Sequence, residues 1–346
     1  MDFDFLDPIL EFIDPLLNPF LIIGTIKAVI IAVGVLSVVP FLVWLERRLM
    51  GRFQVRLGPN RVGPFGLGQP FADSIKLLFK ESIVQSSADK FLYYLAPGVV
   101  VFAAILAFAV IPFGEPFEVF GQRIELWGAN VDSSILFVFA ISGMGIYGMV
   151  LAGLASNSKY SLMGGLRSSA QMISYELTLG ISALAVIVTS GSLNLVEMVH
   201  QQQMPHVWNI FWHPVTFLLF FIAGVAETNR APFDLPEAEQ ELVAGFHTEY
   251  TGMKFAMFFM GEYINMVTVS AMMTLLFLGG WDAFGLPIFP ILAFAIKVFF
   301  FLCVFIWLRS TFPRLRYDRL MTFGWKVLLP VSVINLLFYS TIKVIF

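Results

Sequence analysis

Residues 217–260 read FLLFFIAGVAETNRAPFDLPEAEQELVAGFHTEYTGMKFAMFFM. Two apolar runs, FLLFFIAGV and FAMFFM, enclose a stretch that sets Glu227, Asp234, Glu237, Glu239, Glu241 and Glu249 against Arg230. Runs of this apolarity belong in hydrocarbon, where backbone polar groups find no water and must pair within their own segment, so they read as helices. The chain at large agrees, with 58% hydrophobic and only 13% charged residues. So little charge cannot clothe a water-soluble surface. The expected fold is all-α and integral to a membrane, with the densest acidic cluster at its lip.

Working outward, eight apolar stretches are long enough to cross roughly 30 Å of hydrocarbon at about 1.5 Å per residue. They run over about 21–45, 92–112, 134–154, 171–189, 209–226, 255–278, 288–308 and 325–345, the fifth interrupted by His213-Pro214. None alternates as the strands of a closed barrel would. The expectation is one membrane domain over 1–346, a bundle of eight transmembrane helices. The start, MDFDFLDPILEFIDP, is acidic where a secretory signal is basic. It reads as a retained segment whose Phe, Leu and Ile rest in the bilayer interface. Every Lys and Arg except Lys27, Arg123, Lys297 and Lys343 falls in residues 46–91, 155–170, 227–254 or 309–326. These are alternate connections, so they mark the cytoplasmic side, and an even span count puts both termini opposite.

Ionisable groups inside spans cost at least ~2.5 kcal/mol each, which makes them functional candidates by default. Glu176, in ISYELTLG, falls on the cytoplasmic third of the fourth span, and Glu262, in MGEYINM, about 10 Å into the sixth. Lys27 is near enough to an interface to snorkel. Lys297, near the middle of the seventh span, is expected to pair with a buried acid. Pro232, Pro236 and Gly245 fold the acidic stretch tightly between the spans that bear Glu176 and Glu262. Carboxylates this close cannot all be ionised at pH 7. A line of acids running from the cytoplasmic face into the bilayer reads as a proton or coupling path; the blander reading is hydrogen-bonded, protonated acids between helices.

A second constellation spans 46–81, ERRLMGRFQVRLGPNRVGPFGLGQPFADSIKLLFKE. Its Gly- and Pro-dense middle is a tightly turned loop. Beyond Pro70, apolar Phe71, Ile75 and Leu78 recur at helical spacing with Asp73, Lys76 and Lys80 on the other side. That is an amphipathic helix lying in the cytoplasmic-side interface, over about 70–81. It is either a bare anchor or the wall of a pocket where an amphiphile brings a polar ring to Arg47, Arg56 or Asp73 while its tail stays in lipid.

Other signals carry less. GMGIYG (Gly143, Gly145, Gly148) matches a dinucleotide fingerprint by letter but lies inside an apolar span, so its glycines serve helix packing. His200, His206 and His213 match no metal spacing and read as surface histidines. The single Cys303 leaves no disulfide framework, cysteine-held cluster or structural zinc site. Nucleic-acid binding finds no support at a net charge of −3.

The motifs LGPNRVGPFGLGQPFADSIKLLFKE, GLASNSKYSLMGGLRSSAQMISYE, AETNRAPFDLPEAEQELVAGFHTEY and RYDRLM..GWK resemble those of the quinone-site membrane subunit of respiratory complex I, NADH:quinone oxidoreductase, and of its mitochondrial counterpart. The resemblance runs in order from about residue 40 to 330. It implies an eight-helix membrane subunit without a redox centre, in a bacterial inner membrane with periplasmic termini, joining the membrane arm to the hydrophilic arm. FMN and iron–sulfur clusters would lie in partner subunits, and the substrate would be ubiquinone or menaquinone. Partners would be the hydrophilic quinone-site and iron–sulfur subunits and small membrane subunits leading to antiporter-like ones. By position the resemblance assigns Arg47, Arg56, Phe71 and Asp73 to the quinone entrance. It assigns Glu176, Glu227, Asp234, Glu237, Glu239, Glu241, Glu249 and Glu262 to an acidic path toward the proton pumps. Where some relatives carry a further glutamate in the third helix, this chain has Gly145, so the path would continue through Ser142, Tyr147 or water. The alternatives are the related membrane subunit of an energy-converting hydrogenase, with the same acids and no quinone, and a stand-alone proton-coupled transporter. The latter calls for inverted repeats, and the sequence carries no internal repeat.

Overall fold

A computed structural model describes residues 19–119, 122–203, 207–234, 244–283 and 289–345; the acidic start, over residues 1–18, lies outside them. Most of the described residues are helical. Helix α1 is Pro19–Phe53, α2 Gln69–Phe79, α3 Lys90–Ala107, α4 Ser134–Ala155 and α5 Lys159–Ser190. They are followed by α6 Leu195–Gln203, α7 Asn209–Trp212, α8 Pro214–Glu227, α9 Met253–Phe277, α10 Pro290–Thr311, α11 Tyr317–Phe323 and α12 Leu329–Ile345. A two-stranded antiparallel hairpin, β1 Phe117–Val119 with β2 Gln122–Ile124, projects from the connection between α3 and α4.

Among the described residues seven helices are long and apolar enough to cross a membrane; α11 and α12 count as one through the π-turn Gly324–Leu328. The expected fifth span takes another form. His213 breaks it into the single turn α7 and the 14-residue α8. At about 1.5 Å per residue α8 spans about 21 Å, short of the usual hydrocarbon thickness. The break also buries the ring of His213, expected at the surface. It packs at 4.0 Å from the Tyr339 ring, with Nε2 at 3.0 Å from Thr189 Oγ1. His200 is exposed as expected, and His206 lies outside the described residues. A second difference lies at 155–170, expected as a loop, which forms the first turns of α5 from Lys159 onward. Its serines and glycines (Ser161, Gly164, Gly165, Ser168) are buried against other helices, so packing overrides their weak helix propensity.

α5 is the spine of the bundle, with α4, α8, α12 and the short turn Gly245–His247 around it. On the other side α9 packs against α3, α10 and α1. Small residues set these approaches, as is usual between helices in lipid. A Cβ on Gly148 would stand 2.4 Å from Val100 Cγ2, which is the packing role expected for that glycine.

Lys297 does not rely on an acid alone. Its ammonium donates to the carbonyls of Leu278, Gly280 and Asp282 and sits 4.3 Å over the Trp208 ring, with the Asp282 charge nearby. The turn after α9 leaves carbonyls without helical partners, and the lysine satisfies them.

Candidate functional site

The two ends of the acidic stretch are fastened to one helix. At its start, Gln171 of α5 donates through Nε2 to the carbonyls of Ala226 and Phe233, both at 2.8 Å. At its end, Gly164 of α5 meets Gly245 so closely that a Cβ on Gly164 would lie 2.6 Å from Gly245 Cα. Ser161 Oγ donates to Phe246 O at 3.4 Å in the same contact. Between them, Asn229 takes the left-handed conformation (φ 50°), and its Nδ2 donates to Ser168 Oγ of α5 at 3.5 Å. The helix that carries Glu176 is thus also the seat of the loop.

Glu227, the last residue of α8, is buried, and Glu176 stands on α5 half-buried. They converge on Ser142–Gly143 of α4. The Glu227 carboxylate accepts from the Ser142 hydroxyl and feels the charge of Glu176. Glu176 Oε1 lies 2.9 Å from where a Cβ on Gly143 would be, so a side chain there would displace the Glu176 carboxylate. A cavity of about 20 Å³ is bounded by Glu227, Ser142, Asn265 and Thr268. That is space for one water with polar partners. A larger cavity of about 420 Å³ is bounded by Glu176, Gly143, Tyr147 and Ser169. Gly145 has no heavy atom within 4 Å of a Cβ.

Glu262 of α9 is buried, and its charge acts on Arg230. Arg230 leads to a group that the sequence reading passed over. Glu46, near the end of α1, is 3% exposed and accepts from Nη1 of Arg230 at 3.3 Å, from Arg309 of α10 and from Tyr263 OH at 2.6 Å. Arg230 also lies 4.2 Å over the Tyr263 ring. Burial works to lower the Arg230 pKa, but Glu46, Tyr263 and Glu262 outweigh it and hold the group above the usual arginine value. The available signal was Glu46 itself, a lone acid at the edge of a basic stretch.

The other predicted residues are spread more widely. Asp234 is partly buried at the end of the first described part of the loop, and Glu249 lies half-buried before Tyr250. Its carbonyl accepts from Tyr93 OH at 2.8 Å, while the Tyr93 and Tyr250 rings stack at 4.3 Å. Glu237, Glu239 and Glu241 lie outside the described residues. His247, between them and α9, is enclosed by the rings of Phe246, Phe255, Phe258 and Phe259. Burial pushes its pKa down to about 3, so it is neutral at pH 7.

At the end of α1, Arg47 Nη1 donates to Asp73 Oδ2 at 2.5 Å, and Gln69 supports the other carboxylate oxygen at 3.3 Å. The ion pair ties α2 to α1. Arg56 donates instead to Gln54 Oε1 at 2.7 Å. Phe71 is 67% exposed, as are much of Ile75 and Leu78, so the apolar face of α2 is left for lipid or for a ligand.

The family described as NADH dehydrogenase matches residues 26–340. The H-type subunit of NADH-quinone oxidoreductase from Protochlamydia amoebophila is 54% identical over 297 residues, 86% of this chain and 90% of that one. An H-type subunit of the same enzyme from Geobacter sulfurreducens, the one numbered 2, is 51% identical over 311 residues, 90% and 93% of the two chains. NADH-quinone oxidoreductase subunit 8 of Thermus thermophilus is 52% identical over 309 residues, 89% and 84%.

Proposed function

The chain belongs to the H-type subunit family of NADH-quinone oxidoreductase, and from that premise we propose that it forms the quinone entrance of respiratory complex I and the first part of an acidic path from quinone reduction to proton translocation. Quinone comes out of the lipid along the exposed face of α2, past Phe71, with Arg47 and Asp73 as the polar groups at its rim and Arg56 in the loop above. Its head group is reduced in the hydrophilic arm, where partner subunits carry FMN and the iron–sulfur clusters. This chain supplies no electron carrier. It receives the change of charge.

That change meets the carboxylates of the loop, Asp234, Glu237, Glu239, Glu241 and Glu249, and passes to Glu262, Glu227 and Glu176. An added charge in a poorly screened site perturbs its neighbours by several kcal/mol at most, enough to redistribute protons among coupled acids. The observation that carries the reading is the approach of Glu227 and Glu176 to Ser142–Gly143. Two acids from different helices share one spot on α4, beside a water-sized space and a larger cavity that opens past Tyr147. A proton on one carboxylate lowers the cost of charge on the other, which is how a relay works. The small membrane subunits leading to the antiporter-like pumps would receive the signal on the α4 side. Both termini face the periplasm in this reading. The relatives are named for quinone reduction, which favours it over a hydrogenase component or a lone transporter.

The test is Glu176→Gln in the intact complex, reconstituted in vesicles. NADH-driven acidification should collapse. Pumping within about twofold of wild type, less than half a kcal/mol of effect, would remove Glu176 from the path.

A further inference from the structure

Toward the N-terminal end of α1, far from the acids, lies a cavity of about 420 Å³. Its walls include Gly34 on α1, Phe108 after α3, and Trp127, with Lys27 and Glu125 both on its lining. On α1 its lining runs from Lys27 to Val38, about 14 Å along the helix from Arg47 at about 1.5 Å per residue, so this space is separate from the proposed quinone entrance. Ile30, also on the lining, is 64% exposed, so the cavity is open to the side of the bundle.

Three features call for a ligand. First, Gly34 is a mid-helix glycine with no heavy atom within 4 Å of a Cβ. Glycine costs a helix interior about 1 kcal/mol against alanine, and between membrane helices it ordinarily admits a close neighbour. Here no described neighbour is close. Second, Trp127 is buried (5% exposed), and its Nε1 finds no acceptor among the described residues. A buried donor without a partner costs about 1–3 kcal/mol, so an acceptor is called for. Third, among the described residues neither Lys27 nor Glu125 makes a hydrogen bond or ion pair, although both border the same apolar space.

A cavity with such walls does not hold water well, and in a bilayer its natural occupant is a hydrocarbon chain. The charges at its border then define the head group: an anion for Lys27, acceptor oxygens for Trp127 Nε1, and a cation with N–H donors for Glu125. A quaternary ammonium has no N–H to give, and a purely anionic head group would be repelled by Glu125. We propose that this cavity binds one acyl chain of a zwitterionic phospholipid with a primary ammonium, of the phosphatidylethanolamine type. Its phosphate sits at Lys27, its ammonium at Glu125 and its ester or phosphate oxygens within reach of Trp127. The lipid would hold the N-terminal half of α1 against the bundle where few side chains of this chain do so.

The experiment uses the intact complex purified from native membranes and washed with detergent, with retained lipid quantified by mass spectrometry. Wild type should keep one phosphatidylethanolamine that Gly34→Phe loses, while Gly180→Phe, at another open helical glycine, keeps it. Glu125→Gln should lower the preference for phosphatidylethanolamine over phosphatidylcholine about tenfold, the equivalent of 1.4 kcal/mol. Equal retention in wild type and Gly34→Phe overturns the proposal, as does cavity density belonging to a quinone or to a helix of another protein in the complex. Should Gly34→Phe fail to assemble, delipidated wild-type complex titrated with each lipid decides; equal uptake of the two overturns it.

Discussion

Replacing Glu46 by glutamine should unsettle the start of the acidic loop more than any other single change outside it. Glu46 is the common acceptor for Arg230, Arg309 and Tyr263, from three different segments. Arg230 is buried, and among the described residues its Nε and Nη2 meet no acceptor, so Glu46 is the principal counter-charge it touches. Removing one partner of a buried ion pair costs about 3–5 kcal/mol, because the remaining charge is stranded. At roughly 2 °C per kcal/mol for a chain of this size, the thermal midpoint of this chain within the purified complex should fall by about 6–10 °C. A double-mutant cycle with Arg230→Met separates stranding from simple loss of packing. If stranding dominates, the double variant is more stable than Glu46→Gln alone, with a coupling of about 0.5–3 kcal/mol. A midpoint within a degree of wild type for Glu46→Gln, or strict additivity in the cycle, would refute the reasoning.

Arg47→Ala should raise the apparent quinone KM about two- to fivefold with little change in kcat, the weight of a partly exposed ion pair; an unchanged KM takes Arg47 out of the entrance. Gly164→Ala would press a methyl into the backbone of Gly245 and should cost about 1–3 kcal/mol while weakening proton pumping. Gly180→Ala, with open space around it, should be neutral or stabilising by up to about 1 kcal/mol, and equal thermal midpoints for the two variants would argue against the Gly164 contact. His247 gives a pH dependence whose sign follows from its pKa of about 3 in place of 6.5. Below pH 6.5 the unfolded chain takes up a proton that the folded one refuses, so stability is complete above that pH. It falls by up to about 1.4 kcal/mol per pH unit on acidification toward 3. Thermal midpoints of His247→Phe should be flatter than wild type between pH 5 and 7, and parallel curves would contradict the buried neutral ring.

The spans were legible because lipid leaves the backbone one solution, and apolar length announces it. The single turn and short helix in place of the fifth span were half-legible, since His213-Pro214 marked the break but not where the ring would go. The first turns of α5 were not legible. Residues 155–170 have the composition of a loop, and only the burial of 159–170 beneath Gly153 and Gly245 makes that part helical. In the candidate site, Glu176 and Glu262 stood out because a carboxylate in an apolar run has few ordinary uses. Their surroundings did not. Gln171 and Gly164 look like plain polar and small residues, and their partners lie 55 or more positions away. Glu46 was hidden for another reason. Its basic neighbours Arg47 and Arg48 suggested a surface stretch, whereas the helix turns by about 100° per residue and sends adjacent side chains to different places.

That turn has a consequence for coupling. Glu46 faces into the bundle, where it holds Arg230 at the start of the acidic loop; Arg47, the next residue, faces α2 and holds Asp73. The proposed quinone entrance and the proposed acidic path thus meet at two consecutive residues on the last turns of one helix. No long chain of contacts has to be invoked between them. A small rotation or shift of the end of α1, driven by a ligand that competes for Arg47 or Asp73, would alter the geometry at Glu46 in the same motion. The response there is not soft, because a buried carboxylate shared by three donors has few alternative arrangements. Since Gln171 and Gly164 fix both ends of the loop to α5, a disturbance entering through Arg230 cannot dissipate by sliding the whole segment. In the proposed path it then reaches the charges around Glu262, Glu227 and Glu176, where a redistribution of protons would occur.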